Sequence, residues 1–118
     1  MRLGEIARLL KAEPLSPRYD PNLEVTSAFG ADLMSDVLSF ARPGVLLLTG
    51  LTTPQVIRTA EVAGVVAVVL VRGKKALPET ERLGVEAGIP ILRTSLIMFD
   101  ACGRLYEAGL RGYSNQQS

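Results

Sequence analysis

A chain of 118 residues, 47% hydrophobic and 21% charged, is long enough to bury one core without disulfide or metal staples, and nothing in it asks for a second domain. Its formal net charge of +1 is too small for the broad basic surface that non-specific nucleic-acid binding needs. No apolar stretch reaches the ~18 to 20 residues of a membrane span, and the charged start MRLGEIARLLKAEP does not read as a signal peptide.

Residues 3–11 set Leu3, Ile6, Ala7, Leu9 and Leu10 at helical spacing, and Pro14 stops the pattern. The stretch EPLSPRYDPN carries three prolines, which predicts an ordered connection or a flexible arm over residues 14–21 with no regular element. From Leu23 the text LEVTSAF alternates, as in a strand with Leu23, Val25 and Ser27 on one face, and Gly30 breaks it. Asp32 then reads as the cap of a helix whose buried stripe is Leu33, Met34, Val37, Leu38 and Ala41. Pro43 and Gly44 end that helix.

The rest of the chain is more regular. PQVIRTAEVAG, residues 54–64, aligns with PETERLGVEAG, residues 78–88: proline on proline, Arg58 on Arg82, Ala63-Gly64 on Ala87-Gly88. Proline suits a first helical turn, and glycine accepts the left-handed residue that ends a helix, so both copies are helices with defined ends. Strands at 45–48, 65–71 and 91–92 flank them, apolar on successive residues as in parallel strands buried on both faces. The fold expected is α/β, three-layer, with a mainly parallel sheet built on a duplicated βα unit. Ser95 reads as the cap of a last helix to about Ala108, with Leu96, Phe99, Leu105 and Tyr106 among its apolar positions. RGYSNQQS then reads as a polar tail, which gives one domain over residues 1–110 and a tail over 111–118.

In open parallel sheets ligands bind beyond the carboxyl ends of the strands. Those ends carry Thr49, Gly50, Thr52 and Thr53, then Arg72, Gly73, Lys74 and Lys75, then Arg93, Thr94 and Ser95. Cations, hydroxyls and glycine near helix starts are the ingredients of an anion or nucleotide-phosphate site. The plainer alternative is that Thr53 and Ser95 are helix caps and the cations are solvated; a third is a protein interface using the same residues.

RGKK is not a P-loop, because Val68 stands where the earlier glycine belongs and Lys75 replaces the Ser or Thr that would reach magnesium. The chain has no histidine, which removes Ser-His and Cys-His pairs and most transition-metal sites. Asp32 and Asp36 lie a helical turn apart, yet no third carboxylate nearby completes a metal shell, so no cofactor and no metal is expected. Cys102, the single cysteine, reads as a buried structural thiol, and Glu61, Glu79, Glu81 and Glu86 as solvated helix faces. One cysteine with no disulfide favours the cytoplasm.

GADLMSDVLSFARPGVLLLTG, VVAVVLVRG and EAGIPILRTSLIMFDACGRL, taken together, resemble a DRTGG domain and are similar to the N-terminal domain of HPr kinase/phosphorylase, from the first helix to about Leu110. Domains of this kind accompany phosphotransacetylases, CBS-domain proteins and some pyrophosphatases. The resemblance implies a regulatory or ligand-sensing module, often a homodimer, and not a catalytic part. This chain departs from the family at VRGKK, which keeps Gly73 but lacks the threonine and one glycine, and at Leu51-Thr52-Thr53, which lacks the charged residues that often follow Gly50.

Two functions follow as expectations. The first is a stand-alone, non-enzymatic regulatory domain that self-associates and acts on a partner protein. The second is an adenine-nucleotide sensor with phosphates against Arg72, Lys74 and Arg93 and the hydroxyls of Thr49, Thr52 and Thr94. An enzyme using a metal supplied by another chain comes third.

Overall fold

The computed structural model describes residues 1–16 and 19–112. In chain order the elements are α1 (Leu3–Leu10), β1 (Glu13–Pro14), β2 (Ser27–Gly30), α2 (Met34–Phe40), β3 (Val45–Thr49), α3 (Gln55–Ala63), β4 (Ala67–Leu70), α4 (Pro78–Ala87), β5 (Ile91–Arg93) and α5 (Met98–Glu107). The strands form one sheet in the order β1-β5-β4-β3-β2. The last four pair in parallel, and β1 lies antiparallel on β5.

Each strand from β3 to β5 lies beside its predecessor, and the connecting helices α2, α3 and α4 all pack on one face, as crossovers of a single hand require. α1 and α5 cover the other face. β3 shows why its sequence is apolar throughout: Leu46 and Leu48 face α1 and α5, while Val45 and Leu47 face α2 and α3. Every one of these side chains is buried. A fully buried leucine contributes about 1.5–3 kcal/mol, so β3 is the most heavily invested strand of the three-layer α/β fold that the sequence pattern predicts.

The repeat is present as predicted. Pro78 opens α4 and Pro54 immediately precedes α3 in helical conformation, while Gly64 and Gly88 close the two helices at φ 78° and 71°. Of the flanking strands, β3 and β5 each run one residue further than expected, to Thr49 and Arg93, and β4 is shorter, from Ala67 to Leu70, although Val65 and Val71 remain buried.

Several expectations are corrected. The proline-rich stretch is not free of regular structure, since Glu13 and Pro14 form β1 on the domain's own sheet and Leu15 N donates to Ile91 O at 2.8 Å. Pro17 and Arg18 of that stretch lie outside the described residues. Asp32 does not cap α2: Leu33, extended at φ −95°, holds that place without a side-chain cap. The predicted stripe of α2 narrows to Met34 and Val37, with Ala41 half-buried against the same core, because Leu33 and Leu38 are exposed. Ser95 does not cap α5 either. The chain spends residues 94–97 crossing the sheet edge to reach the opposite face, and Ile97, extended, takes the cap position. On α5 Leu105 is buried but Phe99 and Tyr106 are exposed, the apolar stripe being carried by Ala101 and Leu105. Of the polar tail, Arg111 O accepts from Ala28 N on β2 at 3.1 Å, and residues 113–118 lie outside the described residues.

Candidate functional site

Because β2 to β5 are parallel, their carboxyl ends meet along one edge, and that edge collects the residues singled out above. At the end of β3 a carboxylate from the connection after the neighbouring β2 secures the turn. Asp32 Oδ1 accepts from Gly50 N at 2.7 Å and from Thr49 Oγ1 at 3.0 Å. Thr49 Oγ1 in turn accepts from Leu51 N at 3.2 Å. Thr49 and Gly50 are buried by this arrangement, and Thr53, beyond them, is exposed. Thr52, half-buried, offers its carbonyl to Thr80 Oγ1 at 2.7 Å and to Leu77 N at 3.3 Å, tying this loop to the one after β4.

The end of β4 is built differently. Arg72 and Gly73 both have positive φ, 62° and 68°, and Lys74 N donates to Val71 O at 3.3 Å, closing a tight turn. Glycine adopts that conformation freely, whereas an L side chain there costs roughly 1–2 kcal/mol. Arg72 is held in it by backbone bonds on both sides: its N–H donates to Leu96 O, and Gly73 N–H to Thr94 O, each at 2.8 Å. Its guanidinium reaches back over β3, so that a Cβ on Gly50 would run into Arg72 Nη2. Among the described residues this guanidinium has no ion pair, nor do Lys74 and Lys75, which are exposed.

At the end of β5, Arg93 Nε donates to Gly73 O at 3.2 Å and Nη1 pairs with Glu13. Thr94 is buried, its Oγ1 donating to Leu10 O at 2.6 Å. Ser95 is exposed. The edge therefore sorts the ten predicted residues. Arg72, Lys74, Thr53 and Ser95 face solvent, Thr52, Gly73 and Arg93 are half-buried, and Thr49, Gly50 and Thr94 are buried, the hydroxyls of both threonines donating within the fold.

Sequence reasoning missed three contributors: Asp32, Lys11 and Glu13. Lys11 ends α1 at φ 50° and joins Glu13, Arg93 and Ser95 around a cleft of about 200 Å³. With Lys11, Arg72, Lys74, Lys75 and Arg93 set against Asp32 and Glu13, the edge carries an excess of positive charge suited to an anion. Among the described residues there is no group of three or more Cys, Asp or Glu that would hold a metal ion. Cys102 is half-buried, and burial pushes its thiol up, away from the reactive thiolate. A wider cleft of about 470 Å³ lies at the opposite edge, between Tyr19, Asp20, Val85 and Pro90, and has no cation among its described lining residues.

No family model matches the sequence, and no curated protein matches it. Among solved structures the chain is similar to the CBS and DRTGG domains of the regulatory region of Clostridium perfringens pyrophosphatase, complexed with its activator diadenosine tetraphosphate. The TM-score is 0.68 at 15% identity, over 88% of this chain and 45% of that one, so this chain spans less than half of its neighbour. At that identity the likeness establishes the fold alone, an α/β fold consistent with the DRTGG domains that the sequence resembles. No helix among the described residues is long and apolar enough to cross a membrane.

Proposed function

We propose that this chain is a regulatory, ligand-sensing module of the DRTGG type, with no catalysis of its own. Its ligand is an adenine nucleotide whose phosphates lie at the carboxyl edge of the sheet, against Arg72, Lys74 and Arg93, the half-buried Thr52 and the exposed hydroxyls of Thr53 and Ser95. The observation that carries this reading is Arg72: a strained, exposed arginine aimed across the edge with no ion pair among the described residues. Strain of this kind is retained where it places a group for use. The neighbour's regulatory role and nucleotide activator support the same reading. The absence of histidine and of a P-loop supports the non-enzymatic part.

The output of such a module passes through self-association and a partner protein. The groove between α2 and α3, where Leu38 and Val62 are exposed beside Gln55 and Arg58, offers an apolar surface for it. The test is a thermal-shift series with AMP, ATP and diadenosine tetraphosphate, with light scattering on the same samples. A nucleotide present at 100 times its Kd stabilises by about 2.7 kcal/mol, and Arg72→Ala combined with Arg93→Ala removes the shift. Nucleotide affinity unchanged in the double variant would refute the site, and no shift with any nucleotide would refute the ligand class.

A further inference from the structure

The small cleft at the outer end of the edge holds its own stand-in for a ligand. Arg93 is oriented by Gly73 O and directs its outer nitrogen at Glu13, so a carboxylate of the chain occupies the place an external anion would take. Glu13 is the exposed partner of that pair, at 62% of its side-chain surface against 27% for Arg93. An exposed pair of this kind is weak. Lys11 stands on the rim with its charge exposed and no ion pair among the described residues, and Ser95 adds an exposed hydroxyl. The strand that carries Glu13 is itself thinly held. β1 has two residues, one of them a proline without an N–H, and beyond it the arm is tied by Leu15 N to Ile91 O and by Ile91 N to Ser16 Oγ at 3.1 Å.

We propose that Lys11, Arg93 and Ser95 form a phosphate subsite and that Glu13 is its built-in competitor. A phosphate brings a second negative charge and several acceptor oxygens to the guanidinium, and engages Lys11, which Glu13 leaves unpaired. It displaces Glu13, and β1 loosens from β5. Occupancy of the carboxyl edge is then reported by the N-terminal arm. The proposal rests on the reading that this edge takes an anionic ligand, but it makes a separate claim about Glu13.

The test is a titration of the full chain with inorganic phosphate, followed by amide NMR and hydrogen exchange. Phosphate is expected to shift the signals of Lys11, Arg93 and Ser95 saturably and to speed exchange of the Leu15 amide. Glu13→Gln, which removes the competing charge, is expected to bind phosphate about two- to five-fold tighter, the span of an exposed ion pair. Its Leu15 amide exchanges faster even without phosphate, and Lys11→Gln binds phosphate more weakly. The proposal is overturned if Glu13→Gln binds phosphate no tighter than the native chain, or if phosphate slows exchange at Leu15. Nucleotide binding lost by Arg72→Ala, with no effect of Glu13→Gln on phosphate, removes this subsite and keeps the nucleotide reading. Tighter phosphate binding by Glu13→Gln in a chain that binds no nucleotide does the reverse.

Discussion

The β3–α3 and β4–α4 units have the same order of proline, helix and glycine, yet they differ wherever a neighbour touches them. After β3, Asp32 accepts from Thr49 and Gly50 and closes the strand end. After β4 a left-handed turn leaves Arg72, Lys74 and Lys75 in solvent. At the other end of the helices, a Cβ on Gly64 would lie 2.8 Å from Pro43 Cα, whereas one on Gly88 would meet nothing within 4 Å. The helical frame is fixed by packing that both copies share, and the loops are free to diverge because each faces a different surrounding.

The sharpest way to break the equivalence is at the glycines. Both have positive φ, so alanine is strained at either, but at Gly64 it also collides with backbone that a side-chain rotation cannot move. Gly64 O additionally accepts from Gly44 N at 2.9 Å, coupling that helix end to the start of β3. Gly64→Ala is expected to cost about 2–4 kcal/mol and Gly88→Ala about 1 kcal/mol, measured by urea unfolding. Equal losses would mean that Pro43 yields and that the two ends are the same after all.

A smaller effect is expected at Asp32. Asp32→Ala leaves Gly50 N–H and Thr49 Oγ1–H without their acceptor, at a cost of about 1–2 kcal/mol, the range for donors that water partly recovers. Asp32→Asn keeps an acceptor oxygen and is expected to lose less. If Asp32 acted as a helix cap instead, its loss would show as fraying of α2 with the β3 end unchanged, which amide exchange at Gly50 distinguishes.

What was legible in the sequence follows the range of the forces involved. The repeat, the buried strands and the helix ends at Gly64 and Gly88 are local effects of proline, glycine and apolar runs, and they read directly. Asp32 did not, because its partners are 17 and 18 residues away and a carboxylate before an apolar run looks like a cap. β1 was hidden for a similar reason: Glu13 pairs with Arg93, and two residues including a proline carry no strand pattern. The exposure of Leu38 and Phe99 depends on whether a further layer covers the helix, which periodicity does not encode. For the candidate site, the edge and its cations were legible from topology alone, whereas the burial of Thr49 and Thr94 and the part of Lys11 depend on packing between distant segments.

The smallest expected stability change is the one that separates architecture from use at the β4 turn. Arg72 pays for its left-handed backbone, and glycine at that position removes the strain while adding flexibility to the unfolded chain. The strain relieved, about 1–2 kcal/mol, exceeds the flexibility added, about 0.5–1 kcal/mol, so Arg72→Gly is expected to gain about 0.5–1 kcal/mol in stability. It should lose nucleotide binding at the same time, because the guanidinium is gone. Arg72→Lys keeps both the charge and the strain, so its stability stays near the native value while the forked contact to phosphate is lost and affinity falls. A destabilised Arg72→Gly would mean that the guanidinium's packing over Gly50 outweighs the backbone strain. The arginine would then be a brace between β3 and β4, with no need of a ligand to explain it.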